Sequence, residues 1–282
     1  MKKNSSLKGK LVVAQSGGCT AVINQSLAGV VEAARTSSAI TGILGSRNGI
    51  EGILKDSFVD LKGKSSKFIR AIANSPSAAL GSSRYKLKPG DDRKIVASLR
   101  KHNIRYVFLI GGNDTANTSL RIVSAAEKDH YEIRVIHIPK TIDNDLIETD
   151  HCPGYGSVIK YNATTVMEVA ADVGSMATDD GSCCIIEVMG RSAGWIAAGT
   201  VLAKRSPHDA PHIVLLPEIP YVEATFLAKV EETVATRKYC VVVVGEGLKN
   251  EAGEEIAADK TRLDAFGHPL LSGAADRLAE VV

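Results

Sequence analysis

The chain has 282 residues, 44% of them hydrophobic, enough to bury one large core or two moderate ones without disulfides or metals to hold them. Its 34 basic and 32 acidic residues nearly balance and form no dense Lys/Arg run, which excludes a general nucleic-acid partner and leaves any anion to be bound by local groups. Neither a signal segment nor a membrane span is expected: the polar, basic Met1–Lys10 is followed by a short apolar run, Leu11–Ala14, which Gln15 and Ser16 interrupt.

In chain order, Leu11–Ala14 reads as a buried strand that leads into a helix over Ala21–Arg35, and Thr41–Leu44 as a second strand. Tyr106–Ile110 precedes a helix over Ala116–Lys128, and Val135–Ile138 follows it. Cys184–Val188 and Ile213–Leu216 are strands separated by a helix over Trp195–Lys204, and a helix over Thr225–Thr236 runs up to the strand Cys240–Val244. Short apolar, β-branched runs alternating with longer amphipathic stretches predict an α/β fold of mostly parallel sheets covered by helices. The stretch from Ala274 to Val282 reads as an unfinished amphipathic helix. Cys19, Cys152, Cys183, Cys184 and Cys240 are odd in number and lack metal-ligand spacing, so they are expected to be reduced, mostly buried thiols of a cytoplasmic protein.

In open α/β sheets ligands lie beyond the carboxyl ends of the strands, and four such ends carry unusual residues. Gln15-Ser16-Gly17-Gly18-Cys19-Thr20 is either an ordinary strand-to-helix turn or an anion cradle of glycine N–H groups at a helix start; it is neither a dinucleotide fingerprint nor a P-loop. In Gly111-Gly112-Asn113-Asp114-Thr115 the glycines allow a phosphate close to the backbone, Thr115 can cap a helix and Asp114 can hold a divalent metal, although an N-cap cluster explains Asp114 and Thr115 equally well. Pro139-Lys140-Thr141-Ile142-Asp143-Asn144-Asp145 sets two carboxylates two residues apart behind a lysine, unfavourable at a buried strand end unless a metal or substrate compensates them. One carboxylate can take a hydroxyl proton, the other can orient a metal, and the lysine can neutralise phosphate. In Glu187-Val188-Met189-Gly190-Arg191-Ser192-Ala193-Gly194-Trp195, Arg191 at a helix start suits bidentate phosphate recognition or a surface ion pair.

These segments, in this order over nearly the whole chain, resemble the phosphofructokinase family. Gly17-Gly18 is similar to its first phosphate loop, Gly81-Ser82-Ser83-Arg84 to its phosphate-contacting arginine segment, and Gly111–Thr115 to its metal and phosphate loop. Thr141-Ile142-Asp143-Asn144-Asp145 resembles the catalytic motif, Met189-Gly190-Arg191 the sugar-phosphate motif, and Gly245-Glu246-Gly247 with Arg262 and Gly267-His268 the segments that close on fructose 6-phosphate. The resemblance implies two Rossmann-like lobes: a donor lobe over 1–157 rejoined by 269–282, and a fructose 6-phosphate lobe over 158–268, in a chain shorter than the family at its C-terminus. It implies Asp143 as the base with Lys140 and Asp114 beside the transferred phosphoryl. Thr141, Ile142, Met189, Gly190, Arg191, Glu246, Arg262 and His268 would bind the acceptor, and Gly17, Gly18, Arg84, Gly112 and Thr115 the donor phosphates. Asn113, Asp114 and Asp145 would hold Mg2+, with Asn113 a departure from the more usual aspartate. A homodimer or homotetramer is implied, with Arg262 and His268 available to a neighbouring subunit's site.

Within the family, members using ATP usually have Gly-Gly-Asp-Gly-Ser in the second loop and a glycine before the catalytic motif. Here those positions are Asp114 and Lys140, which resemble the pyrophosphate-dependent branch. A carboxylate about 4 Å from a phosphate charge costs on the order of 4 kcal/mol at an effective dielectric near 20, roughly a thousandfold in affinity, so Asp114 would exclude a nucleotide's α-phosphate. The implied reaction is reversible phosphoryl transfer from pyrophosphate to fructose 6-phosphate. The alternatives are an ATP-dependent 6-phosphofructokinase and a truncated, non-catalytic sugar-phosphate-binding subunit.

Overall fold

The computed structural model describes residues 7–263, 269–271 and 273–282. Packing divides the chain into two units, Met1–Thr141 and Ile142–Val282.

The first unit is built on a five-stranded sheet. Its elements are β1 (Gly9–Gln15), α1 (Ala21–Arg35), β2 (Ile40–Ser46), α2 (Ile50–Leu54), β3 (Phe58–Asp60), α3 (Ser66–Ala73), α4 (Asp91–Lys101), β4 (Ile104–Gly111), α5 (Asn113–Lys128) and β5 (Arg134–Pro139). The strand order is β3-β2-β1-β4-β5, parallel except for the antiparallel edge strand β3. Strand β1 is central, so both its faces are covered and Leu11–Ala14 within it are apolar without alternation. Their period of two still sorts them. Leu11 and Val13 pack against Ile23, Leu27 and Val31 of α1 and Ile69 of α3, while Val12 and Ala14 pack against Ile53 of α2, Ile95 and Leu99 of α4 and Ile122 of α5.

Chain order runs outward from β1 through β2 on one side and from β4 through β5 on the other, so the sheet's topological switch point lies between β1 and β4. The loops leaving their carboxyl ends are the two glycine segments, 16–20 and 112–115.

The second unit contains α6 (Tyr155–Ser175), β6 (Ser182–Val188), α7 (Trp195–Gly199), β7 (Ile213–Leu215), α8 (Glu223–Arg237), β8 (Tyr239–Gly245), β9 (Ala258–Leu263), β10 (Pro269–Leu271) and α9 (Ala274–Ala279). A parallel sheet of order β6-β8-β7 forms its centre, and β9 pairs antiparallel with β10. Val241 and Val243 of β8 face Val166 of α6 and Ile196 of α7; Cys240, Val242 and Val244 face Phe226 and Val230 of α8 and Leu278 of α9.

Three details differ from the sequence pattern. The helix expected over Trp195–Lys204 is α7 followed by a 3-10 turn, Thr200–Ala203, in which Thr200 Oγ1 donates to the Ala197 carbonyl at 2.6 Å. A side-chain hydroxyl capturing a carbonyl competes with α-helical bonding at that point. The boundary between the units falls at 141/142, ahead of the expected one at 157, and α9, expected with the first lobe, packs in the second because Ala274 and Leu278 are wholly buried against β8 and α8. Finally, Cys152 and Cys240 are buried, but Cys183 and Cys184 are half-buried and Cys19 is exposed, so the thiols are less uniformly sequestered than expected.

Candidate active site

Four segments of the first unit meet at the carboxyl end of its sheet. Ser16 N–H donates to the Ile110 carbonyl at 2.9 Å, tying the loop after β1 to β4, and Lys140 N–H donates to the Gly111 carbonyl at 2.9 Å, tying β4 to the end of β5. Gly17 has φ +75° and donates its N–H to the Ser83 carbonyl at 3.0 Å, while the Ser82 hydroxyl donates to the Gly17 carbonyl. The loop 16–20 is therefore fastened to the Gly81–Arg84 segment from both directions.

Two cations approach this loop. A methyl group on Gly17 would lie 3.0 Å from Lys140 Nζ, and one on Gly18 would lie 3.9 Å from an Arg84 guanidinium nitrogen. Lys140 is 5% exposed. A buried ammonium beside a bare glycine backbone can meet an anionic phosphoryl group there. At the second loop, any side chain on Gly111 would collide with the side chain of Thr115, and Thr115, which is buried, donates its N–H to the Gly112 carbonyl. This closes the first turn of α5 and leaves Asn113 and Asp114 exposed at its N-terminus.

Beneath these loops lies a buried amide network that the sequence motifs do not reveal. Gln15 donates to the Ile23 carbonyl at 3.1 Å and to Asn24 Oδ1 at 2.9 Å, and its own carbonyl oxygen accepts from Leu80 N–H. Asn24 donates to Ser75 and accepts from Ala79 N–H. Both amides are 0% exposed, so the network fixes the 75–84 segment against the start of α1.

In the second unit, Asn144 adopts a left-handed conformation with φ +57°. Its buried side chain accepts from Cys152 N–H at 2.7 Å and donates to the Asp150 carbonyl at 3.3 Å, holding the 144–152 turn. Asp143 and Asp145 flank it, and one carboxylate oxygen of each, Oδ1, is shielded from solvent. Burial pushes the Cys152 thiol up from its ordinary range, and the charges of Asp145 and Asp143 add to that. Ile142 approaches Gly154 so closely that only a glycine, with φ +95°, fits there.

The loops after β6 and β8 interlock. Glu246 N–H donates to the Val188 carbonyl at 3.0 Å, Gly190 N–H donates to Glu246 Oε1 at 3.2 Å, and a side chain on Gly247 would occupy the space of the Arg191 carbonyl. Arg191 forms a two-pronged pair with Glu255, Nε to Oε1 at 3.2 Å and a second guanidinium nitrogen to Oε2 at 3.3 Å. Met189 is half exposed beside it. Arg262 lies on β9 but its side chain falls outside the described residues, as does His268 altogether.

The expected residues are thus distributed by unit. Gly17, Gly18, Arg84, Gly112, Asn113, Asp114, Thr115, Lys140 and Thr141 belong to the first, and Ile142, Asp143, Asp145, Met189, Gly190, Arg191 and Glu246 to the second. Among the described residues no three His, Cys, Asp or Glu side chains form a metal cage. The expected donors are all oxygen, from Asp114, Asp145 and the Asn113 amide, which suits Mg2+ arriving with a phosphate: that ion takes one or two carboxylates and completes its shell with phosphate oxygens and water.

A sequence profile described as Phosphofructokinase matches residues 10–281. The chain belongs to the phosphofructokinase family. It is 44% identical over 275 residues to the pyrophosphate–fructose 6-phosphate 1-phosphotransferase of Halomonas elongata, an alignment covering 95% of this chain and 65% of the relative. Against the enzyme of the same name from Xanthomonas campestris pv. campestris it is 45% identical over 279 residues, covering 97% and 66%. The crystal structure of pyrophosphate-dependent phosphofructokinase from Marinobacter aquaeolei superposes with a TM-score of 0.79 at 40% identity, covering 97% of this chain and 64% of that one. The chain thus spans about two thirds of the length of the phosphofructokinases it matches.

Proposed function

We propose that this chain carries the phosphoryl-transfer machinery of a pyrophosphate-dependent phosphofructokinase, moving a phosphoryl group reversibly between pyrophosphate and the 1-hydroxyl of fructose 6-phosphate. The observation that carries this reading is the buried Lys140 ammonium beside Gly17, with the Arg84 guanidinium at Gly18. Together with the N–H groups of the 16–20 loop, these cations receive the charge of a small polyphosphate. The names of the relatives point to the same donor and acceptor.

Lys140 also bears on the choice of donor. Its side chain is folded into the space above Gly17, where a glycine at position 140 would leave room, and Asp114 adds a carboxylate at the start of α5. A nucleotide's α-phosphate meets both a filled volume and a like charge, whereas pyrophosphate ends before that point. Asp143 takes the proton of the 1-hydroxyl as that oxygen bonds to the transferred phosphorus. Thr141, Ile142, Met189, Gly190, Arg191 and Glu246 orient the sugar phosphate, and Arg262 and His268 complete its binding in the same or a neighbouring subunit of a homodimer or homotetramer. Asn113, Asp114 and Asp145 would hold Mg2+, which would neutralise charge on the phosphate oxygens. The setting is cytoplasmic.

A coupled assay comparing pyrophosphate with ATP at equal concentration, with fructose 6-phosphate and magnesium present, tests this reading. Fructose 1,6-bisphosphate formation with pyrophosphate and a rate at least about a hundredfold lower with ATP is expected from the like-charge term. A preference for ATP would overturn the donor assignment, and phosphoryl transfer from neither would overturn the enzyme reading.

A further inference from the structure

The proposed phosphoryl-transfer chemistry uses none of the four cysteines of the second unit, Cys152, Cys183, Cys184 and Cys240, and two of them are paired across its sheet. Cys183, the second residue of β6, is the register partner of Cys240, the second residue of β8, in a parallel ladder. Neighbouring strands lie about 4.8 Å apart and register partners project from the same face of the sheet, within the Cα separation of roughly 4.4–6.8 Å that a disulfide spans. Cys240 belongs to the buried cluster with Phe226, Val230 and Leu278, and Cys183 packs against that cluster from the same face of the sheet. Cys184, one residue on, points to the opposite face.

The two thiols are not equivalent. Cys240 is 0% exposed, whereas Cys183 is half-buried and lines a cavity of about 360 Å3 with Ile185, Ala275, Asp276, Ala279 and Val282. The hydrogen bond from the Cys240 thiol draws Cys183 below its ordinary range; that same contact, together with burial, holds Cys240 protonated. One sulfur is reachable and is the more acidic of the two, and the other lies behind it.

We propose that Cys183 and Cys240 form a peroxide-oxidised pair in which Cys183 is the reacting thiol and Cys240 the resolving one. The Cys183 thiolate attacks one oxygen of hydrogen peroxide; the O–O bond breaks, hydroxide leaves and takes up the former thiol proton as water, and Cys183 becomes a sulfenic acid. The Cys240 sulfur then attacks the Cys183 sulfur. The S–S bond forms, the S–O bond breaks, and the departing hydroxide takes the Cys240 proton as a second water. The two sulfurs together supply the two electrons that reduce the peroxide. A dithiol reverses the bond by thiol–disulfide exchange.

The test is to treat the full chain with hydrogen peroxide, block remaining thiols by alkylation, and map peptides without reduction. Loss of two of the five thiols, a cross-linked peptide joining Cys183 to Cys240, its persistence in Cys19→Ser, and its reversal by dithiothreitol are expected. In Cys240→Ala the sulfenic acid at Cys183 should accumulate and be trapped by dimedone. Should that variant fail to fold, Cys183→Ala, at a partly exposed position, must abolish the cross-link and leave Cys240 unoxidised. Unchanged thiol titre, a Cys183–Cys184 bond, a bond through Cys19, or over-oxidation of Cys183 with Cys240 intact in the wild-type chain would each overturn the proposal.

Discussion

Gly17 adopts φ +75°, and a methyl group there would come within 3.0 Å of Lys140 Nζ. Gly17→Ala should therefore lose about 1 kcal/mol of stability from the left-handed backbone and also displace the ammonium. We expect a raised KM for pyrophosphate with the KM for fructose 6-phosphate little changed, measured by steady-state kinetics. In the proposed mechanism Asp143 takes the hydroxyl proton, so Asp143→Asn should lower kcat by roughly a hundredfold to ten-thousandfold while calorimetric binding of fructose 6-phosphate survives. Unaltered turnover in that variant would remove Asp143 from the mechanism. Lys140 and Asp143 could be singled out in the sequence because charged groups clustered at a strand end are conspicuous. Glu255 could not: it meets Arg191 from 64 positions away, and nothing in its own neighbourhood signals that role.

Among the elements, Asp56 at the end of α2 fastens that helix to α4. It accepts from Ser98 Oγ and Lys101 Nζ, each at 2.6 Å, and contacts His102 Nε2 at 3.0 Å. The Lys101 hydrogen bond first, then that of Ser98, lowers the Asp56 carboxyl from 3.8 to about 2. A depressed carboxylate stabilises the fold above its unfolded-state value, and the contribution is lost as pH falls through about 2. Asp56→Asn should accordingly flatten the acid side of the stability curve in denaturant titrations from about pH 4 downward, with the neutral-pH loss modest because the pair is partly solvated. The loops after β6 and β8 form the other sensitive junction. Gly247→Ala would force a methyl group into the Arg191 carbonyl, so we expect about 1–3 kcal/mol of destabilisation and a higher KM for fructose 6-phosphate.

For the molecule as a whole, binding is linked to stability. Pyrophosphate with magnesium at about a hundred times its dissociation constant should stabilise the native chain by about 2.7 kcal/mol. Thermal melts should register this as a raised Tm that Lys140→Met abolishes; an equal shift in the variant would mean that Lys140 does not contact the donor. Asp114→Gly combined with Lys140→Gly should weaken pyrophosphate turnover and admit some ATP in the coupled assay. Donor choice is thus expected to follow from two side chains set on the carboxyl ends of a parallel sheet, with the strand order β3-β2-β1-β4-β5 bringing their loops together.

The sequence by itself determined the α/β class, the central strands and the glycine-bearing strand ends, because each is written within a window of a few residues as periodicity, β-branching or a missing Cβ. It was silent over much of the stretch from Leu44 to Tyr106, where α2, β3, α3 and α4 are short and their apolar faces are completed by other segments. Only the tertiary structure decided that Lys140 turns back over Gly17, that Gln15 and Asn24 lock the 75–84 segment, that α9 packs on β8, and that Cys183 faces Cys240. Those contacts depend on which distant surfaces bury each other, a free energy summed over residues far apart in the chain that no local window contains.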